Sequence, residues 1–147
     1  MTRHSRATRL QALPGFLRCD TRGAAAIEMA IALPVLLALI MGILSYGDWF
    51  LTAHSVQQAA NDAARAAIAG LTSAERQQIA SDNVNTMLQR GSTLNPTYAT
   101  VSVDDNGSTM AVHVRYDASR DPMLHVAFVA PPSTIIQRTA AISLGGL

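Results

Sequence analysis

The sequence predicts an α+β protein in which a long N-terminal transmembrane helix continues as a stalk and carries a small head. Three observations predict this fold. Residues 24–44 are apolar enough to cross a bilayer, an alanine-rich helical pattern continues to residue 70, and alternating segments typical of strands lie within residues 71–147. We expect the head to contain one helix and an antiparallel sheet of about three strands. Residues 1–23 form a separate basic leader.

Charge is distributed unevenly along the 147 residues. The leader carries five arginines and one aspartate, a net charge of +4, whereas the rest of the chain carries six arginines against nine acids. A basic segment can bind nucleic acid. Here it adjoins an apolar span, and arginine beside a span favours the cytoplasmic side of a membrane. We therefore expect no nucleic-acid partner, a cytoplasmic N-terminus and a head on the opposite side of the membrane.

The predicted transmembrane helix, residues 24–44, contains one charged side chain, Glu28. Its 21 residues would rise about 30 Å as a helix, which matches the hydrocarbon thickness of a bilayer. Tyr46 and Trp49 follow where aromatic rings favour the interface, and Asp48 marks the exit into water. Two alternatives are an uncleaved anchor and a secretory signal peptide. The apolar run is longer than the roughly 7–15 residues of a signal peptide.

Neither alternative explains Glu28, because an unpaired carboxylate inside a bilayer is costly. Cleavage between Gly23 and Ala24 would place a new α-amino group four residues before Glu28. The amine and the carboxylate, on one chain or on neighbouring chains, could then neutralise each other. We also expect Gly23 to interrupt the helix and leave the backbone open to a protease. The sequence therefore predicts a cleaved leader.

Several short motifs occur together at this end of the chain: Arg22-Gly23, Glu28, an early Pro34, Gln58-Ala59-Ala60 and Ala63-Ala64-Arg65-Ala66. Their joint spacing resembles the TadE-like pseudopilin family of the Flp/Tad (tight adherence) pilus system, which is related to type IV pilins. The resemblance implies a minor pseudopilin of the bacterial inner membrane with a periplasmic head. It implies cleavage after Gly23 by a membrane aspartyl prepilin peptidase. The implied partners are other pilins or pseudopilins and the pilus assembly platform, and entry into a pilus is left open.

Within the long helix, we expect Pro34 to cause a mild kink, which a membrane helix tolerates. Ala38 and Gly42 form a small-xxx-small pair that could contact another helix. Beyond the span, a narrow apolar stripe recurs at helical spacing: Trp49, Ala53, Val56, Ala60, Ala63 and Ala67. The sequence leaves open whether this chain's own C-terminal domain or a partner covers the stripe.

The head begins after Gly70, where Thr72 to Glu75 reads as a capping box for a second helix that runs to about Arg90. Two alternating segments, joined by a turn at residues 104–107, predict a hairpin, and residues 135–143 predict a third strand. The apolar segment Leu124 to Ala130 has three possible interpretations: a short helix, a buried loop or a contact with the membrane surface.

No motif in the sequence favours catalysis. The four histidines (His4, His54, His113 and His125) lack metal-ligand spacing, and Asp104-x-Asn106-Gly107 lacks the later glutamate of a calcium loop. We therefore expect no enzyme, no metal and no cofactor. The single cysteine, Cys19, is interpreted as incidental. An envelope enzyme would require a pocket that gathers Asp104, Asp105 and His113 around a metal. The main alternative to a pseudopilin is an uncleaved, membrane-anchored binding module serving a secretion or envelope complex.

Overall fold

The computed structural model describes residues 21–91, 94–125, 130 and 132–145. Most of the predicted leader, with Cys19 and His4, lies outside the described residues, and so do residues 126–129 of the ambiguous apolar segment. The elements are α1 (Thr21–Ala67), α2 (Ser73–Gly91), β1 (Ala99–Asp105), β2 (Thr109–Asp117) and β3 (Ile135–Ser143). Short 3₁₀ turns lie at Pro96–Tyr98 and Pro122–Leu124. The predicted α+β class, with two helices and a three-stranded antiparallel sheet, is confirmed.

Helix α1 is longer at its N-terminus than the sequence predicted. Gly23 was expected to interrupt the helix, and this expectation was wrong, because Gly23 is helical. The N–H groups of a first helical turn lack intrahelical acceptors in any case, so a glycine there removes little helix stability. The helix also continues through Pro34, although a kink there stays a prediction. The C-terminal end falls at Ala67, slightly before the predicted end.

The connection between the two helices depends on a glycine and on a capping box. A Cβ at Gly70 would lie 2.8 Å from the backbone nitrogen of Arg76, so the turn has no room for a larger residue. The Glu75 N–H donates to Thr72 Oγ1 at 3.2 Å, and the Thr72 N–H donates to Glu75 Oε2 at 3.1 Å. This reciprocal pair is the predicted capping box, and it satisfies donors that a helix start otherwise leaves free.

The sheet has the strand order β1-β2-β3, and Val112 of the central strand pairs with Val103 on one side and Ala140 on the other. The β1–β2 loop contains Gly107 at φ +84, a conformation that glycine adopts without steric cost. Asn106 Oδ1 accepts hydrogen bonds from the Ser108 N–H at 3.1 Å and the Thr109 N–H at 2.7 Å. The predicted hairpin turn is therefore confirmed, and its asparagine holds the loop closed.

One hydrophobic cluster joins the second half of α1 to α2 and to one face of the sheet. Alternate residues of β2 face this cluster, and the predicted stripe of α1 is buried in it, with Trp49 packed against its margin. The buried stripe members have relative exposures of 3% or less: Ala53, Val56, Ala60, Ala63 and Ala67. This chain's own C-terminal domain therefore covers the stripe, which settles the alternative that the sequence left open.

Two polar contacts secure the sheet against α2. Arg76 forms an ion pair with Asp105 and donates from Nε to the Gly70 carbonyl at 2.9 Å, so it joins the helix–helix turn to the hairpin. Gln77 pairs with the free edge of β1: its Nε2 donates to the Val101 carbonyl at 3.0 Å, and its Oε1 accepts from the Val103 N–H at 2.8 Å. A side-chain amide thus satisfies the kind of edge that otherwise attracts another strand.

The chain divides into two compact units, residues 1–35 and 36–147. The first contains the N-terminal part of α1, and the second contains the remainder of α1 with α2 and the sheet. The last part of the predicted span, residues 36–44, therefore belongs to the same unit as the head.

Candidate functional site and membrane anchor

The predicted transmembrane segment is exposed along most of its length. Its large side chains have relative exposures from 36% at Met41 to 66% at Ile27 and Ile31. Soluble proteins rarely leave so many adjacent large apolar side chains in water. By length and composition, α1 is a candidate membrane span, and the apolar window that qualifies it is not buried inside the protein. The structure thus agrees with anchoring by the N-terminal helix.

The residues of the predicted cleavage junction lie in the first turn of α1. Gly23 and Ala24 are both exposed, and Glu28 follows Ala24 by four residues, so Ala24 and Glu28 share one helix face. Glu28 is exposed and makes no hydrogen bond or ion pair within the part of the chain that the structure describes. Both the cut after Gly23 and the pairing of Glu28 stay predictions. The geometry provides an accessible junction and an available carboxylate.

The small-residue pair on the span occupies a more sheltered position than its neighbours. Ala38 and Gly42 are half-buried, whereas the large residues Leu37, Leu39 and Ile43 are exposed. Small side chains at this spacing let a second helix approach closely. A helix contact at this pair stays a prediction.

The helix carries two aromatic residues just beyond the span, and both contact the C-terminal part of the head. The Tyr46 hydroxyl donates to the Ala130 carbonyl at 3.3 Å. Trp49 Nε1 donates to the Ser133 carbonyl at 2.7 Å, and the Arg138 guanidinium lies 5.9 Å from the Trp49 ring centroid. The predicted interfacial aromatics therefore also fasten the head to the helix at the point where the helix leaves the span.

A cavity of about 330 Å³ lies beside this exit and combines acidic and aromatic side chains. Its lining includes Asp48, Tyr98, Arg120 and Asp121. Arg120 lies 5.1 Å from the Tyr98 ring centroid and donates from Nη1 to the Tyr98 hydroxyl at 3.1 Å. Asp121 accepts the Met123 N–H at 2.9 Å, which starts the 3₁₀ turn. The single guanidinium of the lining is thus held against a tyrosine, in a cavity lined by three carboxylates: Asp48, Asp117 and Asp121.

Asp48 has an environment that the sequence did not reveal. Burial raises the pKa of its carboxyl, and the hydrogen bond and the negative charge of Asp121 raise this pKa further. Asp48 Oδ2 is buried and has no hydrogen-bond donor among the described residues. Burial and a neighbouring negative charge both penalise the charged form of a carboxyl, so the fold makes deprotonation of Asp48 harder than in the unfolded chain. No local signal could have predicted the pair, because Asp121 lies on a different element.

The acids and histidine that would form an enzyme's metal site do not gather into one. His113 Nε2 lies 3.1 Å from Asp104 Oδ2, and His113 Nδ1 lies 2.8 Å from Thr139 Oγ1. Asp105 instead forms its ion pair with Arg76. Within the described ranges, no group of three or more histidines, cysteines and acids could hold a metal ion. His54 contacts Gln58 on α1, and His125 contacts the Ser119 carbonyl.

Fold and anchor together define the class of protein: an α+β head carried by an N-terminal helix that can span a membrane. Residues 23–65 match the model of the family described as TadE-like protein. The match begins at Gly23 and ends two residues before the end of α1. The predicted resemblance to the TadE-like family is confirmed over this segment, which covers 43 of the 147 residues. No curated protein and no solved structure matches the chain.

Proposed function

We propose that this chain is a minor pseudopilin that assists the assembly or priming of Flp/Tad pili. The observation that carries the proposal is the TadE-like match over residues 23–65, which coincides with the exposed apolar part of α1 and its continuation into the head. A pseudopilin needs an anchor before assembly and a folded head that can dock on other subunits. The chain has both, because α1 begins with the exposed apolar segment and its second half packs with α2 and the sheet; no catalytic role is proposed.

The maturation step in this proposal is cleavage between Gly23 and Ala24 by a prepilin peptidase. The junction is exposed, and glycine and alanine offer little steric hindrance to a protease. Cleavage would remove the basic leader and create a positive amine at Ala24. That amine would lie one helical turn from Glu28, on the same face of α1.

In this proposal, the exposed Glu28 is the partner of the new α-amino group. Its carboxylate would pair with an amine at Ala24, either its own or that of a neighbouring pilin or pseudopilin, because an isolated charge is costly inside a bilayer. The arginine excess of the leader supports a cytoplasmic N-terminus and a periplasmic head. The proposed location is the bacterial inner membrane, with pilins and the assembly platform as partners.

The test is the intact mass of the membrane-extracted chain after co-expression with an active or an inactive prepilin peptidase. We expect the active peptidase to remove residues 1–23 and leave Ala24 as the N-terminus. Gly23→Val should block this cut. The matched control is Gly47→Val at another exposed glycine of α1, where an added Cβ would meet no atom within 4 Å, and this change should leave cleavage unaffected.

The alternative, an uncleaved membrane-anchored binding module, makes the opposite prediction. It requires the full-length mass with both peptidases and no dependence of partner association on Glu28→Ala. A mature terminus beyond residue 40 would instead indicate a signal peptide. Either result would remove the pseudopilin proposal.

A further inference from the structure

The head has one end beside the exit of α1 from the predicted span and another end far from it. At the near end, the Tyr46 and Trp49 side chains hold the carbonyls of Ala130 and Ser133. At the far end, Arg76 joins the turn after α1 to Asp105 of the hairpin. The strands therefore run between the two ends. The near end is defined here by Tyr46, Trp49, Phe50 (whose ring lies 5.2 Å from that of Trp49), Met123, Ala130 and Ser133.

Helix geometry gives the depth of the near end relative to a bilayer. At 1.5 Å per residue, Tyr46 lies about 3 Å and Trp49 about 7.5 Å beyond Leu44 along the helix axis. The headgroup layer is roughly 5–7 Å thick on each side of the hydrocarbon. Since their hydrogen bonds hold Ala130 and Ser133 beside these rings, this part of the head would lie within the headgroup layer or at its outer edge if the hydrocarbon ends at Leu44. The far end of α1, at Ala67, lies about 35 Å beyond Leu44.

The distribution of aromatic residues provides an independent observation. All aromatic side chains that the structure describes lie at or beside the near end: Tyr46, Trp49, Phe50, Tyr98 and Tyr116. Tyr98 and Tyr116 line the cavity that Asp48 also lines, so they are close to the helix exit. Tyrosine and tryptophan favour the membrane–water interface because their rings are apolar and their polar atoms can reach water. The far end has no described aromatic residue.

Two large apolar side chains at the near end remain uncovered. Phe50 is 64% exposed, and Met123, which follows the Asp121-capped turn, is 45% exposed. Phe50 lies on α1 six residues after Leu44, so it follows the exposed apolar side chains at the end of the span. The nearest apolar medium that could cover them is the bilayer in which α1 is anchored.

We propose that the near end of the head rests on the lipid headgroups beside its own anchor, with Phe50 and Met123 contacting the bilayer interface. This inference depends on the proposed membrane anchoring, but not on leader cleavage or on a role in pilus assembly. The occupant of this surface is lipid, not a second copy of the chain. The head of the unassembled protein is therefore supported by the membrane surface and does not stand away from it on a free stalk.

The depth of spin labels in phosphatidylcholine vesicles tests this docking. The full chain with Cys19→Ser would carry a nitroxide at Met123→Cys, at Leu71→Cys or at Leu37→Cys, one position per variant. The measurement is the accessibility of each label to membrane-dissolved oxygen relative to a water-soluble nickel chelate. Leu71 is the matched control, because it is an exposed apolar residue (89%) at the far end of the head. Leu37 reports on the anchor.

We expect a several-fold higher oxygen-to-nickel ratio at position 123 than at position 71, and the highest ratio at position 37. Docking is overturned if position 123 is as aqueous as position 71 while position 37 is in lipid, and the anchor then still stands. It is also overturned if positions 123 and 71 are equally lipid-exposed, since the contact would not be specific to one end. An aqueous position 37 would reject the membrane anchor as well. Circular dichroism of each labelled variant verifies that the head is folded.

Discussion

The two halves of α1 have the same backbone conformation and opposite surroundings. In the first half, residues 24–44, leucine, isoleucine and methionine side chains are exposed, and the described core contains none of them. In the second half, residues 45–67, small alanines are buried almost completely, while Phe50 and Leu51 are exposed. In a soluble helix the larger apolar residues would be the ones buried.

This difference shows that size, and not hydrophobicity alone, separates the two halves. Lipid can surround large side chains of any arrangement, so the first half needs apolar character without a defined partner surface. The second half packs with α2 and the sheet into one hydrophobic cluster, in which its alanines are buried. One continuous helix therefore follows two sets of packing rules, and substitutions should have different effects in each half.

The largest effect is expected from a charge in the first half. Leu37→Arg places a guanidinium in the span, and translocon-based scales assign about 3 kcal/mol to arginine at the centre of a membrane helix. The same change in the second half, Leu51→Arg, adds a charge to a residue that is already 69% exposed. We expect only Leu37→Arg to increase the fraction of protein removed from membranes by carbonate extraction. Equal extraction of the two variants would contradict the division of α1 at residue 44.

A smaller effect is expected from added volume in the second half. Ala63 has 0% exposure, and Ala63→Leu must displace neighbouring atoms of the cluster, at a cost of about 1–3 kcal/mol in the free energy of unfolding. Ala32→Leu adds the same atoms to an exposed position of the first half and should not change the head's stability. Thermal unfolding in detergent, followed by circular dichroism, measures both. Equal midpoints for the two variants would show that the alanine stripe is not closely packed.

The smallest expected effect is on the pH dependence of folding stability, and it arises from Asp48, near the start of the second half. Because the pKa of Asp48 is raised above its ordinary value of 3.8, the folded protein binds more protons than the unfolded chain between these two pKa values. Stability therefore falls as pH rises through this window and stays lower above it. Asp48→Asn should raise the stability at neutral pH and weaken this dependence, as measured by unfolding midpoints across acidic pH.

Asp105→Asn is the matched control, because the pKa of Asp105 is shifted in the opposite direction to that of Asp48. The Gly107 N–H and then Arg76 hold the pKa of the Asp105 carboxyl below its usual value of 3.8. This carboxylate stabilises the fold above the ordinary pKa, and the stabilisation is lost as pH falls through the lowered pKa. Asp105→Asn should therefore reduce stability at neutral pH. If Asp48→Asn reduced it as well, the interpretation of Asp48 as a repelled carboxyl would be wrong.

Local patterns predicted much of the fold. The third strand was predicted at residues 135–143, and β3 has these bounds. The capping box at Thr72 and Glu75 and the hairpin loop with Asn106 and Gly107 also formed as predicted. Each depends on contacts between residues a few positions apart, so the information lies within one short segment. The helical state of Gly23 was not predicted, because a glycine at this position is compatible both with a helix that begins before it and with a break in the helix.

Long-range contacts could not be predicted in the same way. The Arg76–Asp105 ion pair, the Gln77 contacts with β1 and the Asp48–Asp121 pair each join residues on different elements. The sequence contains many arginines and acids that could pair, and nothing local selects among them. The predicted site residues Gly23, Ala24 and Glu28 could be located on α1, but the cleavage and the pairing proposed for them would involve other proteins and stay predictions.

The sequence by itself determined that residues 24–44 are apolar enough for a membrane, that α1 continues beyond them, and that its stripe must be covered. These properties follow from composition and from the 3.6-residue period of a helix. The tertiary structure decided that the head covers the stripe, that Tyr46 and Trp49 hold the head at the helix exit, and that Asp48 faces a second carboxyl. Those outcomes depend on how distant segments fill space around one another, and hydrophobic periodicity specifies which face is buried without specifying what buries it.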